Sequence, residues 1–382
     1  MPLSPKVFED SKFFGKPIAI VFTNEGCKGC KDVLDALTSN TDIKRKYVIA
    51  SLDSFLDYPY FARLTRGLLP TVSVVDHEGN LIGIVESSNA GYVLEKLDDI
   101  YQRLGKLARI PYGLVPRETD FDLIRAFDVI NRVLSGVPGD FRTAQLVTWI
   151  AKEDQNYSLA MKYFRPLDKF AEHLTFRRAI EVGDTCSELG IASELGLLSD
   201  YRGLLECASS DGAVRRKPKS DPVGLLIDQA YVGSGLLSAY ERTGNPTFLD
   251  YAREVLHWAL NNLSYEVGFL DVRPTDPITS KPVVDPLMNS EFAVFASRLW
   301  LITGEEEALK AAEKAIKASA WSESPLVESR LAIAELKKSY GFLSKSCNDL
   351  RCEELSNLDC QVKFRGQCFN SVEEIEEKIK AF

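Results

Sequence analysis

Cys27 and Cys30 stand two residues apart in IAIVFTNEGCKGCKDVLDAL, a spacing that lets two thiols make and break one disulfide. Ile18 to Phe22, apolar and partly β-branched, reads as a buried parallel strand, and Val33, Leu34 and Leu37 read as the inward face of a helix. The pair therefore falls at a helix N-terminus, with Cys30 one turn in. Unpaired N–H groups and the helix dipole there favour thiolate over thiol. Lys28 and Lys31 add positive charge. Thiols in this pattern ionise with pKa values from about 3.5 to about 7.5, against about 8.5 for a free cysteine. Cys27 is the expected attacking thiolate and Cys30 the resolving thiol. The alternatives are an inert clip or half of a zinc site. No second CxxC or CxxH completes a zinc knuckle, so neither a metal nor a cofactor is expected.

Further elements must hold this pair. Tyr47 to Leu52 reads as a second strand, Pro59 to Thr65 as a helix, and Thr71 to Val75 and Leu81 to Glu86 as strands joined by the turn Asp76-His77-Glu78-Gly79-Asn80. Ala90 to Leu104 closes the segment as a helix, with Val93, Leu94, Leu97, Ile100 and Tyr101 at helical spacing. With these elements in this order, residues 14 to 104 resemble a thioredoxin domain. The resemblance implies that Pro70, in Leu69-Pro70-Thr71, forms a cis peptide bond and faces the sulfurs, joining Cys27 and Cys30 as a catalytic residue. It also implies protein thiols and disulfides, or a thioredoxin-reductase-type electron donor, as partners. Gly26 stands where such domains carry Trp, and Lys28-Gly29 between the cysteines is a second departure.

After a Pro- and Gly-containing stretch ending in RIPYGLVPRE, the pattern turns helical. Helices are expected at Phe121 to Leu134, Thr143 to Ala151, Tyr157 to Phe170, Leu225 to Arg242, Pro246 to Leu263, Ser290 to Ile302, Glu305 to Ala320 and Pro325 to Tyr340. Thr243-Gly244 recurs 60 residues later as Thr303-Gly304, and Leu249 and Ala252 recur as Leu309 and Ala312. Each copy reads as a helix stopped by Gly, followed at once by a second helix. Hairpins of this kind bury their apolar faces by stacking into a solenoid or a closed α/α toroid. The stretch LIDQAYVGSGLLSAYERTGNPTFLDYAREVLHWALNN, then GFLDV, DPLMNSEFAVFASRLWLITGEE and the closing CFNSVEEIEEKIKAF, resembles the spermatogenesis-associated protein 20 family, which fuses a thioredoxin-like domain to a six-hairpin toroid. Residues 118 to 221 match it poorly and the chain is shorter than usual, so the toroid is expected to be incomplete.

The fold of that helical part is related to sugar epimerases and six-hairpin glycosidases, which raises carbohydrate as a partner. Epimerases of the group need paired histidines, and His77, His173 and His257 form no such pair. A glycosidase needs two carboxylates across a sugar. Asp228, Asp271, Asp285 and Glu291 are the candidates for a toroid pocket, with the loop from Gly268 to Asn289 at its mouth. The plainer reading makes Asp271 and Asp285 loop residues binding backbone N–H groups, Glu291 a first-turn residue and Asp228 a polar anchor of the inner wall.

Cys186 and Cys207 read as small buried residues or as a disulfide. Cys347, Cys352, Cys360 and Cys368, spaced x4, x7 and x7, fit two disulfides, a four-thiolate zinc site or free thiols, and the spacing matches no common zinc motif. The net charge of -9 argues against nucleic acid and anionic membrane as partners. Arg215-Arg216-Lys217-Pro218-Lys219 is the one dense basic run and reads as a solvated loop. No apolar stretch is long enough to span a bilayer and no signal-peptide core is evident, so a cytoplasmic protein is expected. Disulfides there would suit a hot-growing source. The expected organisation is multidomain: an α/β thioredoxin-like domain at 1–104, a linker at 105–117, an all-α helical-hairpin domain at 118–340, and a Cys-rich tail with a terminal helix at 341–382. The expected function is thiol–disulfide oxidoreduction, with the helical domain holding the partner. The alternative is a sugar- or peptide-binding, or carbohydrate-active, toroid whose CxxC is structural.

Overall fold

The computed structural model describes residues 3–134, 185–194, 196, 198–347 and 351–380. The helices expected at 143–151 and 157–170, and His173, lie outside the described residues. The chain divides into two compact units, one of Met1–Leu114 with Val272–Val283 and one of Val115–Asp271 with Val284–Phe382.

The first unit runs α1 (Pro5–Phe14), β1 (Ile18–Thr23), α2 (Cys30–Ser39), α3 (Thr41–Lys46), β2 (Val48–Asp53), α4 (Tyr58–Leu64), β3 (Thr71–Val75), β4 (Leu81–Glu86) and α5 (Ala90–Gln102). Its sheet has the order β2-β1-β3-β4. β1 pairs parallel with β2 and antiparallel with β3, and β3 pairs antiparallel with β4. The continuous apolar run of β1 is explained by burial on both faces. Ala19 and Val21 pack with Val33 and Leu37 of α2 and Val93 and Leu97 of α5, while Ile18, Ile20 and Phe22 pack with Tyr60 and Leu64 of α4.

A segment remote in sequence completes this second core. Ile278 is fully buried in it, Asp276 accepts from the Tyr60 hydroxyl, and Lys281 Nζ donates to Asn80 Oδ1 at 2.7 Å. Burial, with the Asp276 carboxylate beside it, keeps the Tyr60 phenol protonated far into the alkaline range. The loop expected to line a toroid mouth therefore gives residues 272–283 to the first unit instead. Its turn and apolar Ile carry no mark of where they dock.

The second unit contains α6 (Leu123–Leu134), α7 (Cys186–Glu194), α8 (Arg202–Cys207), α9 (Leu226–Thr243), α10 (Pro246–Asn262), α11 (Pro286–Thr303), α12 (Glu306–Ser319) and α13 (Pro325–Tyr340). Gly244 and Gly304 end α9 and α11 at φ 67° and 75°, a left-handed conformation that costs glycine little, and α10 and α12 restart within two residues. The repeated turns thus make two helical hairpins. α7, α9, α11, α13 and α6 pack as successive neighbours, with α10 and α12 against α9 and α11. Ala308, Ala311, Ala312 and Ala315 form the buried stripe of α12, whereas α11 is buried on every side from Asn289 to Leu299.

The second unit is not all-α. β5 (Phe342–Ser344), β6 (Cys352–Glu354), β7 (Val362–Phe364) and β8 (Gln367–Phe369) form a sheet of order β6-β5-β7-β8 ahead of α14 (Val372–Lys380). Three-residue strands are too short to display an alternation. Cys347–Cys352 and Cys360–Cys368 are disulfides in this sheet, and Cys186–Cys207 joins α7 to α8. The basic run is also not wholly solvated, because Arg216 is buried against Asp228.

Candidate functional site

The end of β1 and the start of α2 shape the dithiol turn. Asn24 accepts from the Cys27 N–H through its carbonyl and from the Gly26 N–H through Oδ1, both at 3.0 Å, while its Nδ2 donates to Ser54 Oγ at 3.4 Å. The Cys27 carbonyl accepts from the Cys30 N–H at 3.3 Å. Cys27 thus sits in the turn before the helix, and Cys30 is the first helical residue rather than one turn in. The two are joined as a disulfide with a Cα–Cα distance of 5.4 Å.

The two sulfurs are unequal. Cys27 is partly exposed, and Cys30 is buried with its Sγ 3.6 Å from the Phe22 carbonyl oxygen. In the reduced pair a Cys30 thiol can donate to that carbonyl, while a thiolate there would face the same oxygen's negative end and lack water. The Cys30 sulfur is thus shielded by burial and this contact, whereas Cys27 at the helix end is the sulfur that a substrate can reach. Lys28 and Lys31 are exposed beside it.

Pro70, buried and preceded by a cis bond, comes next to this turn. A Cβ built on Gly29 would lie 3.7 Å from Pro70 Cγ and only 2.7 Å from the Ser88 Cβ. Only glycine lets Ser88 pack this closely on the dithiol turn, so Gly29 of the Lys28-Gly29 departure has a steric cause. Thr71 Oγ1 donates to the Leu68 carbonyl at 2.7 Å and braces the proline loop.

The candidate carboxylates Asp228, Glu291 and Asp285 are each engaged. Asp228 is fully buried, accepts from Arg216 Nη1 at 3.0 Å on both oxygens, and accepts from Ser187 Oγ. Burial raises its carboxyl above the ordinary value, more than Arg216 and Ser187 lower it. Glu291 pairs with Arg330 Nε at 3.1 Å and accepts from the Tyr231 hydroxyl at 3.4 Å. Asp285 Oδ1 accepts from the Met288 N–H at 2.9 Å and caps α11. Asp271 is buried, with its carbonyl accepting from the Leu226 N–H at 2.9 Å. His257 lies 3.6 Å from Glu307, and His77 is in the β3–β4 turn.

A charged cluster went unnoticed in the sequence. Arg298 Nε and Nη2 donate to Glu353 at 2.9 and 3.1 Å, Lys337 Nζ lies 2.7 Å from Glu353 Oε1, and Glu241 is 3.2 Å from Arg298. Its only sequence signal is a cation inside an apolar helical run, EFAVFASRLW and LAIAELKK.

No protein-family model and no curated protein matches the chain. Among solved structures, a family 76 glycoside hydrolase from a bovine Bacteroides thetaiotaomicron strain matches over 69% of this chain and 70% of that chain, with 12% identity and a TM-score of 0.37. A likeness at that level transfers neither fold nor chemistry. Among the described residues, no helix is long and apolar enough to cross a membrane and no group of His, Cys, Asp and Glu forms a metal site.

Proposed function

We propose that the chain is a thiol–disulfide oxidoreductase whose first unit is a thioredoxin-like module. The observation that carries this reading is the inequality of the pair, Cys27 partly exposed in the turn and Cys30 buried against the Phe22 carbonyl. The Cys27 thiolate attacks one sulfur of a substrate disulfide, that S–S bond breaks, and the other substrate sulfur leaves as a thiolate that takes up a proton. Cys30 then gives up its proton and attacks the Cys27 sulfur. The second substrate thiolate leaves, two electrons have passed to the substrate, and the Cys27–Cys30 disulfide remains for a dithiol donor to reduce. The cis bond before Pro70, next to the dithiol turn, would hold the substrate chain close to the sulfurs.

The second unit, read as an incomplete α/α toroid of the spermatogenesis-associated protein 20 type, would hold the partner. Pairing of all eight cysteines suits an oxidising compartment, or the cytosol of an organism rich in intracellular disulfides; the cytoplasmic placement holds in the second case.

The test is dithiothreitol-driven reduction of insulin. The wild type is expected to outpace dithiothreitol alone, Cys27→Ser to be inactive, and Cys30→Ser to trap a mixed disulfide visible by mass spectrometry. A wild type no faster than dithiothreitol, with Cys27 no more reactive than a free thiol at neutral pH, overturns the assignment. Binding or cleavage of a panel of oligosaccharides by such a redox-silent chain would put the carbohydrate alternative in its place.

A further inference from the structure

β4 is the edge strand of the first sheet, and its sequence LIGIVE has neither Lys nor Pro to guard that edge. Only its first residue is paired outward, the Leu81 carbonyl accepting from the Ile110 N–H at 2.8 Å. From Ile82 to Glu86 the outward backbone groups have no partner among the described residues. This edge forms the floor of a groove of about 480 Å³, walled by Tyr92, Lys96, Ile100 and Arg103 of the α5 side. At one end of the groove the chain leads on from Glu86 toward Ser88. Glu86 and Tyr92 flank Ser88, which is the residue packed on Gly29.

The charges in the groove are incompletely matched. Glu86 Oε1 is buried without a hydrogen-bond partner, Arg66 and Arg103 are exposed without ion-pair partners among the described residues, and Lys96 is already committed to Asp99 at 3.0 Å. An unpaired row of N–H and C=O groups accepts another strand, and an orphaned carboxylate oxygen accepts a cation.

We infer that the β4 edge docks an extended polypeptide of mixed charge as a fifth strand, with a basic side chain at Glu86 and an acidic one toward Arg103. A strand bound there would run toward Ser88. The docking does not depend on the dithiol being redox-active, since it uses β4, α5 and Glu86 alone.

The experiment uses the oxidised full-length chain and a fluorescein-labelled, cysteine-free nonapeptide of alternating Thr and Val, carrying one Lys and one Glu near opposite ends, read by anisotropy. Saturable binding is expected, with at least about a tenfold loss when alternate peptide nitrogens of one edge are N-methylated. Glu86→Lys is expected to weaken the Lys peptide by about tenfold and to recover binding of a Lys→Glu peptide. Equal binding of methylated and unmethylated peptides, or none at all, overturns the inference. So does a wild-type dimer that Glu86→Lys converts to a monomer, which would make the occupant a second copy. The methylation arm uses only the wild type, so misfolding of the variant does not blunt the test.

Discussion

Glu353 and Glu241 sit on the same buried cations yet carry opposite proton affinities. Burial and the neighbouring Glu353 raise the Glu241 carboxyl well above its ordinary value. Burial alone would raise Glu353 too, but Arg298 and Lys337 outweigh it and hold that carboxyl below the usual range. Glu241 binds a proton more tightly folded than unfolded, so its contribution to stability falls as pH rises from the ordinary glutamate value toward the raised one. Glu353 contributes fully above the ordinary value and loses its contribution as pH falls through the lowered one. Glu353→Gln should cost about 3–5 kcal/mol at neutral pH, because it strands two buried cations. Glu241→Gln should cost less, about 1–2 kcal/mol, since the amide oxygen still accepts from Arg298, and should flatten the loss of stability as pH rises above the ordinary glutamate value. Denaturant titrations between pH 5 and 9 measure both; equal costs would disprove the protonation pattern. The CxxC was legible because its spacing is local, whereas nothing near Glu353 in sequence announces Arg298, 55 residues earlier.

At the scale of elements, β3, β4 and α13 begin and end where the hydrophobic periodicity puts them, and most other expected elements shift by only a few residues. Periodicity reports burial of one face over several turns or pleats, and these elements are long enough to show it. α1 and α3 escaped because charged residues interrupt their short apolar stripes, and β5 to β8 because each spans three residues. The segment 272–283 escaped for another reason: its partner is the core of a unit that ends more than 150 residues earlier. Ile278→Ala should destabilise the first unit by about 2–5 kcal/mol, the range for emptying a buried aliphatic site. A fragment ending at residue 114 should unfold at lower denaturant than the same unit in the full chain, and a peptide of residues 272–283 added in trans should recover part of the difference. Identical midpoints for fragment and full chain would show that the segment contributes nothing.

Across the whole molecule, four disulfides differ in access to solvent. Cys186 and Cys207 are both fully buried, Cys27 is partly exposed, and Cys368 is exposed. Thiol–disulfide exchange needs the attacking thiolate to reach a sulfur. Under native conditions a small dithiol should therefore open Cys27–Cys30 and Cys360–Cys368 before Cys186–Cys207. Differential alkylation and mass spectrometry give the order, and early loss of Cys186–Cys207 would contradict the packing. The amino-acid sequence by itself determined what depends on near neighbours: the strand–turn–helix around the dithiol, the glycine-stopped hairpins and their repeat. Tertiary structure alone decided the disulfide partners, the fate of the carboxylates, the Arg298–Glu353 cluster and the destination of residues 272–283. Those depend on which distant surfaces exclude water from one another, and a side chain's type does not encode the identity of its remote neighbour.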